Sequence, residues 1–479
     1  MLKKLAEIIL VALVLVAFVG VRSYRLSTPL ADWHSSRQAD TAAVARNFVQ
    51  EKFDLLYPQS DSLWALSQLQ LPNPNRYFMN EFPLYNAAVA LVYKYYGINH
   101  VYGRMVSIAI STVGALYLYL LTKYLLGRRI ALASLLYYSL LPYNIYYGRV
   151  FMPDPSFAAF SIIALYYGVK FAQSNKVGHG LLMALTFAVA TLVKPYAVFL
   201  IIPLGYWILR RRGLQVLRQP TMYLYLALGI LPLILWRYHL SLHPEGSFAS
   251  HWLLNGGNIR FTGAFFRWII FDRLNRLIFA SGGFVLLMVG IFFAHLKKNT
   301  SLFLVWAGAV FLYITIFAKG NVNHDYYQLP IVAPGVVLAV IGASELVKLG
   351  KTRLSRWLNS ALAVSLFTLS LAFGWYEVRD FFNINNPAIV EAGRKVDAIT
   401  PQDAIVIAPY FGDQSFLSHT IRTGWPVGGN IEERIEDGAT HYVTTSRDQE
   451  YNELKQKYQL IFENDQFSII ELVLDGKTD

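Results

Sequence analysis

The sequence contains no cysteine, which excludes disulfide frameworks, thiolate catalysis and cysteine-ligated zinc. It also lacks the glycine-rich patterns GxGxxG and GxxxxGK that hold a diphosphate, so a soluble nucleotide-sugar enzyme of the Rossmann type is disfavoured. Charged residues are few, at 15% of the chain, whereas 55% of the residues are hydrophobic and 15% are aromatic. A soluble fold of 479 residues does not need so much apolar surface, so the composition indicates an integral membrane protein.

Basic residues outnumber acidic residues, which gives the chain a formal net charge of +12. Their distribution along the sequence is more informative about function than their number. They recur in short clusters between apolar runs instead of forming one patch, which is typical of membrane topology and not of nucleic-acid binding. We therefore expect no nucleic-acid partner. The first apolar run follows Lys3 and Lys4 and reaches Arg22 without a small-residue cleavage site, so we interpret it as a retained helix.

Apolar runs of about the length that crosses a hydrocarbon core of about 30 Å predict a polytopic, mainly α-helical bundle with about eleven spans. The runs are 5–21, 103–122, 130–147, 156–169, 178–193, 195–209, 221–238, 277–295, 301–318, 328–347 and 357–376.

Alternate loops between these runs differ in their lysine and arginine content, as the positive-inside rule requires. The predicted inner loops contain Lys123, Arg128, Arg129; Lys170, Lys176; Arg210, Arg211, Arg212, Arg218; Lys297, Lys298; and Lys348, Lys351, Arg353, Arg356. This regularity predicts a cytoplasmic N-terminus, an exported C-terminus and a working face outside the cytoplasm of a multi-pass cell-membrane protein.

The sequence predicts two domains: a membrane module over 1–376, with a first extracytoplasmic loop at 22–101, and a small soluble α/β domain over 377–479. In the second domain, "AIVIAP", "THYVTTS" and "LIFENDQFSIIELVL" are typical of strands, and "PAIVEAGRKVDAI" and "QEYNELKQKY" of amphipathic helices. There is no internal repeat, which disfavours a transporter built from inverted repeats.

The first loop carries the stretch "LADWHSSRQAD", followed by two segments with apolar residues at helical spacing, "ADTAAVARNFVQEKF" and "EFPLYNAAVALVYKYYG". Their pattern predicts helices lying in the membrane interface above a cavity. Asp32 is either a flank or cap of the turn near Ser35 or a general base. Asp40, inside the first of the two helices, is a second candidate base, although its position favours a solvated face.

Two further acids are predicted on the same side of the membrane. Glu81 is either a helix N-terminal acid or a substrate ligand, and Asp154, between two prolines, is either a helix cap or a functional acid. Arg149, Lys194 and the cluster "NHDYY" join them. These acidic, basic and aromatic side chains on one side of the membrane suit a site for an anionic, membrane-tethered substrate.

Several motifs resemble the GT-C class of integral membrane glycosyltransferases in their order and in the side of the membrane on which they are predicted to lie. They are "SRQADTAAVARNF", "EFPLYNAAVALVYKYYGI", "GRMVS", "MPD" and "HDYYQLP". Within that class the sequence is similar to the group of bacterial protein O-mannosyltransferases and lipid A aminoarabinose transferases. The resemblance covers roughly residues 1 to 375. It implies inverting transfer of a sugar from a polyprenyl-phosphate donor to a lipid, glycan or protein acceptor. It also places the catalytic aspartate of the first loop on Asp32, with Asp40 as the runner-up base, and the second acidic motif on Asp154, which we predict to be the second catalytic residue.

The chemistry of the implied reaction suggests roles for the remaining candidates. A departing polyprenyl phosphate needs cations, for which Arg149 and Lys194 are candidates, with His324 and Tyr327 as hydrogen-bonding partners. An interfacial anchor remains the alternative for Lys194, and an aromatic belt for His324 and Tyr327.

A divalent metal could replace part of this positive charge, with Glu81, Asp154 and His34 as candidate ligands. Two other functions stay open: a transporter or lipid-linked-sugar flippase, and a non-catalytic scaffold carrying an exported binding domain.

Overall fold

The computed structural model describes residues 2–65, 67, 69–248, 250–294 and 299–472. Lys297 and Lys298, counted above among the inner-loop bases, lie outside the described residues. The chain forms two compact units. We call the first, Met1–Leu26, Arg104–Tyr238 and Ser250–Asp380, the helical unit, and the second, Ser27–Gly103, His239–Ala249 and Phe381–Asp479, the mixed unit.

The α-helices are numbered in chain order. The first ten are α1 Leu2–Arg22, α2 Ser35–Gln50, α3 Leu84–Tyr96, α4 His100–Leu126, α5 Arg128–Leu140, α6 Pro142–Tyr147, α7 Asp154–Ser174, α8 Val177–Val193, α9 Ile201–Arg212 and α10 Pro220–Leu242. The others are α11 Trp252–Asn255, α12 Gly263–Phe266, α13 Gly282–Ala294, α14 Ser301–Ile316, α15 Ala318–Asn323, α16 Val332–Lys348, α17 Arg353–Val378, α18 Pro387–Ile399, α19 Ser415–Thr420, α20 Ile431–Glu436 and α21 Gln449–Lys457.

Shorter helical turns join these elements. They are the 3-10 helices Pro195–Leu200, Leu214–Arg218, Pro244–Gly246, Gly256–Asn258, Asp325–Ile331 and Arg379–Phe382, together with a π-helix over Arg267–Ile278.

Each of the eleven predicted apolar runs contains helix. Among the described residues, six helices are long and apolar enough to cross a membrane, and the number is seven if the bent pair Gly263–Ile278 and Gly282–Ala294 counts as one span. Val177–Val193 and Ser301–Ile316 are shorter apolar helices. The protein is therefore mostly helical, as predicted, whereas the count of eleven spans and the orientation stay predictions.

Proline divides one of the predicted runs and begins another. The run 130–147 is broken at Leu141, where Pro142 begins α6, and the run 195–209 starts as a 3-10 helix at Pro195 before α9. Proline disfavours helical backbone at the residue before it, so Leu141 and Lys194 both take extended conformations.

The close approach of α13 and α16 in the helical unit depends on glycine. A Cβ at Gly290 of α13 would lie 1.9 Å from the carbonyl oxygen of Leu338, and a Cβ at Gly342 of α16 would lie 2.1 Å from that of Leu286. Only glycine permits this approach of two helix backbones.

The mixed unit combines the first loop with the C-terminal segment. Helix α2 packs against α3 and α19, and most of its residues are buried. Backbone bonds also tie the loop to distant residues, since the Trp33 amide donates to the Phe381 carbonyl at 3.1 Å. Helices α2 and α3 are confirmed, while their position in a membrane interface and the domain boundary at 376/377 stay predictions.

The sheet of the mixed unit has five strands, β1 Ile405–Ile407, β2 Thr423–Trp425, β3 His441–Thr444, β4 Gln459–Glu463 and β5 Ser468–Glu471. Their order is β2-β1-β3-β5-β4. β1 pairs in parallel with β2 and β3, and the other pairs are antiparallel. The predicted strands and helices of this segment are confirmed, and β2, α19 and α20 were missed.

Candidate functional site

A buried ion pair joins two helices of the helical unit. Lys194 Nζ lies 3.5 Å from Asp154 Oδ1, and both side chains are about 95% buried. Asp154 is the first residue of α7, and Lys194 follows the last residue of α8. Each charge therefore complements the dipole of its own helix. Asp154 and Lys194 each also interact with other side chains or backbone groups.

Aromatic rings surround the lysine. The rings of Tyr326 and Tyr327 lie 5.9 and 5.7 Å from Lys194 Nζ, within the range of a cation–π interaction. The ring of His324 lies 5.2 Å from that of Tyr327. Three residues predicted to act together, Lys194, His324 and Tyr327, are thus brought together with Asp154.

An apolar cavity adjoins this pair. The space between its lining atoms amounts to about 460 Å³, which includes solvent at its open side. It is lined by Tyr138, Phe157, Ala158, Ser161, Tyr196, Ala197, Phe199, Leu200, Trp306, Ala309, Val310, Tyr313, Leu329, Pro330 and Ala333. Phe157 lies one turn beyond Asp154, and Tyr196 lies two residues beyond Lys194. The buried cation therefore stands beside a space that accepts apolar groups.

Asp325 is a buried acid of the same unit that the sequence analysis did not single out. Tyr147 Oη donates to its Oδ1 at 2.6 Å, and Tyr143 Oη donates to its backbone oxygen at 2.5 Å. The only local signal for this acid was its place in the "NHDYY" cluster, since both tyrosines come from a distant part of the chain.

Arg149 is fully buried, and its Nη1 donates to the carbonyl oxygens of Tyr24 and Arg25 at 2.7 and 2.9 Å. It also lies 5.6 Å from the ring centre of Tyr146. These contacts hold the turn after α1, and a role of Arg149 in binding phosphate stays a prediction.

In the mixed unit, Asp32 is fully buried. Gln38 Nε2 donates to Asp32 Oδ1 at 2.6 Å, and Asn385 Nδ2 donates to the Asp32 backbone oxygen at 3.1 Å. The residue at the N-cap of α2 is His34, in left-handed conformation. The carboxylate is thus held in one orientation by an amide from the helix that it precedes.

Glu81 forms an ion pair with Arg37 of α2. It precedes α3, which begins at Leu84, so it is not part of the first turn of that helix. The pair lines a small polar pocket together with Thr41, Val44, Phe78, Pro83 and Asn86. A role of Glu81 in binding substrate stays a prediction.

The expected solvated face for Asp40 is wrong, because its side chain is only 7% exposed. Burial raises the pKa of the Asp40 carboxyl to about 8, although the nearby Arg37 guanidinium opposes the shift. Three further carboxylates act in the same direction as burial, those of Asp413, Asp61 and Glu81. The physical reason is that α19 and α3 cover this face of α2.

The candidate metal ligands do not form a cluster. Among the described residues, no three histidine, aspartate or glutamate side chains lie close enough to hold a metal ion. Glu81 and His34 belong to the mixed unit and Asp154 to the helical unit. The divalent metal stays a prediction.

Part of the chain matches a known protein family. Residues 80–238, about a third of the chain, match the dolichyl-phosphate-mannose-protein mannosyltransferase family. No curated protein matches the sequence.

Several solved structures are similar. ArnT from Cupriavidus metallidurans bound to undecaprenyl phosphate is 12% identical, with a TM-score of 0.68 over 98% of both chains. The Archaeoglobus fulgidus oligosaccharyltransferase is 10% identical, with a TM-score of 0.59 over 92% of this chain and 70% of that one. Arabinofuranosyltransferase AftD from Mycobacteria is 12% identical, with a TM-score of 0.61 over 97% of this chain and 40% of that one. The chain therefore has the GT-C fold of integral membrane glycosyltransferases, and its predicted resemblance to the mannosyltransferase and ArnT group is confirmed.

Proposed function

We propose that this protein is an inverting glycosyltransferase that moves a sugar from a polyprenyl-phosphate donor to an acceptor hydroxyl. The observation that carries the proposal is the buried cation of Lys194 beside an apolar, aromatic cavity. A polyprenyl phosphate has the same two parts, an anionic head and a long apolar tail. The ArnT structure named above contains undecaprenyl phosphate, which supports a donor of this class.

The phosphate head would bind at Lys194. An ammonium group has three donors, so Lys194 can keep its contact with Asp154 while it binds a phosphate oxygen. Asp154 acts as a positioning residue that holds the ammonium at the end of the cavity. The phenol of Tyr327 and the ring of His324, which lie next to the lysine, can donate to the remaining oxygens. Charge-assisted bonds of this kind stabilise the phosphate as it leaves.

Asp32 would act as the general base. The acceptor oxygen attacks the anomeric carbon, its proton passes to the Asp32 carboxylate, and the bond from that carbon to the phosphate oxygen breaks with its electron pair on the polyprenyl phosphate. Gln38 fixes the orientation of the carboxylate. Because Asp32 is fully buried, this role requires acceptor binding to uncover it.

We place the reaction on the extracytoplasmic side of the cell membrane, with the N-terminus inside, the C-terminus outside and about eleven spans. This topology is supported by the alternation of basic loops. The side-chain polar groups that line the cavity are the hydroxyls of tyrosine and serine and the indole of Trp306. Because none of these groups is charged, a transporter is less well supported.

The Asp32→Asn variant tests the base directly. We expect turnover of a polyprenyl-phosphate sugar to fall by about 10²- to 10⁴-fold, while the melting temperature stays close to that of the wild type because asparagine preserves the shape. Asp54→Asn, in the same loop but paired with the exposed Lys52, is the matched control and keeps full activity. Unchanged turnover in Asp32→Asn would rule out this assignment of the base.

A further inference from the structure

An exposed aromatic side chain stands on a strained backbone in the mixed unit. Phe411 is fully exposed and has a left-handed φ of 54°. This conformation is strained for a residue with a side chain. The ring of the neighbouring Tyr410 has its centre 6.3 Å from that of Phe411, so packing does little to offset the strain.

The loop that carries Phe411 is nevertheless held in place. The amides of Tyr410 and Gly412 both donate to the Pro426 carbonyl, at 3.0 and 3.1 Å, and the Asp413 amide donates to the Tyr410 carbonyl at 2.8 Å. Gly412 also has a positive φ, and a Cβ there would lie 2.9 Å from the ring of Trp64. The surrounding contacts therefore fix the loop with the phenyl ring pointing into solvent.

The position of this loop in the sheet is one that often binds ligands. It follows β1, the central strand of the parallel group β2-β1-β3. The chain leaves β1 toward β2 on one side, while β3 lies on the other side. Ligands of open α/β sheets bind outside the carboxyl ends of the strands where the connections diverge in this way.

The groups beside Phe411 indicate the chemistry of the ligand. Between Ala404 and Ser418 the sequence has one acid, Asp413, and no lysine or arginine, so it does not attract an anionic lipid surface. The Asp413 carboxylate accepts from the backbone amide of Ser415 at 2.8 Å and from Ser415 Oγ at 2.5 Å. An exposed flat apolar ring, with a carboxylate two residues further along the same loop, matches a sugar ring, which has an apolar C–H face and a rim of hydroxyls.

We propose that Phe411 is the stacking platform for a sugar ring of a glycan acceptor, with Asp413 accepting from its hydroxyls. This inference rests on the proposed glycosyltransferase function and names the acceptor class. It also explains why a strained, exposed phenylalanine is held rigidly in the loop.

The experiment compares Phe411→Gly with Ile421→Gly in the full-length protein. Ile421 is a matched control, because it has a φ of 52°, is 46% exposed and lies in the same unit. Glycine relieves the left-handed strain in both variants, so we expect both to melt at or above the wild-type temperature. Binding is measured by saturation-transfer NMR with methyl glycosides of hexoses and pentoses, in a detergent without a sugar headgroup.

We expect the wild type and Ile421→Gly to bind at least one glycoside equally well, and Phe411→Gly to bind it about tenfold more weakly. Equal binding by Phe411→Gly, or no binding of any glycoside by the wild type, would overturn the proposal. A Phe411-dependent association with phosphatidylglycerol vesicles instead of glycosides would overturn it in favour of a lipid contact. Donor turnover, measured separately in the wild type, distinguishes these results from a failure of the proposed function.

Discussion

The buried carboxyl of Asp40 should make the stability of the protein depend on pH. In the folded chain its pKa is raised to about 8, from an ordinary value of 3.8. Between these values the unfolded chain has released the Asp40 proton while the folded chain still holds it. The free energy of unfolding therefore falls as the pH rises through this window, by about 1.4 kcal/mol per pH unit.

The Asp40→Asn variant removes this titration while keeping the shape of the side chain. Between about pH 5 and about pH 7 the wild type should lose about 3 kcal/mol that the variant does not lose. The stability difference between the two proteins therefore grows with pH in favour of the variant. In a protein of this size that corresponds to a gap in Tm of a few degrees.

Thermal unfolding of the detergent-solubilised protein across this pH range measures the effect. Asp403→Asn, at an exposed carboxyl of the same unit, is the matched control and should follow the wild-type profile. Parallel profiles for Asp40→Asn and the wild type would refute the reasoning, because they would mean that Asp40 titrates alike in the folded and unfolded chains.

Two further substitutions test the helical unit. Lys194→Met leaves the buried Asp154 without its cation and should cost about 3–5 kcal/mol of stability. The double variant Asp154→Asn/Lys194→Met should recover most of that loss in a thermal melt and still fail to turn over donor, whereas an active double variant would contradict the role of Lys194. Gly342→Ala should cost about 1–3 kcal/mol, because its Cβ would lie 2.1 Å from the Leu286 carbonyl oxygen. Gly308→Ala, with no atom within 4 Å of the added Cβ, should keep or raise the melting temperature, and equal losses in the two variants would contradict this packing argument.

Much of the helical architecture could be predicted because apolar length is a local property of the sequence. Every predicted run contains helix, and α18 coincides with the predicted segment "PAIVEAGRKVDAI". The helix break at Pro142 divides the run 130–147, although this proline was visible in the sequence. The three-residue strand β2 was missed because Thr423–Trp425 is too short to show an alternating pattern.

The environment of the first loop could not be predicted, because it is formed by residues far away in the sequence. The backbone amide of Gln414 donates to Ser36 Oγ at 3.1 Å, although the two residues are 378 positions apart in the sequence. The same packing of α19 on α2 buries Asp40, which the helical pattern alone assigned to solvent. By contrast, Asp154 and Lys194 could be predicted as candidates because proline and charge mark both helix ends, although their pairing required the structure.

The most direct test of the central claim is to incubate the purified full-length protein with polyprenyl-phosphate sugars and to measure free polyprenyl phosphate by mass spectrometry. The account predicts that at least one donor is consumed by the wild type and that Lys194→Met consumes it at least tenfold more slowly at low donor concentration. Equal consumption by Lys194→Met would contradict the account, since the buried cation beside the apolar cavity would then have no part in binding the phosphate.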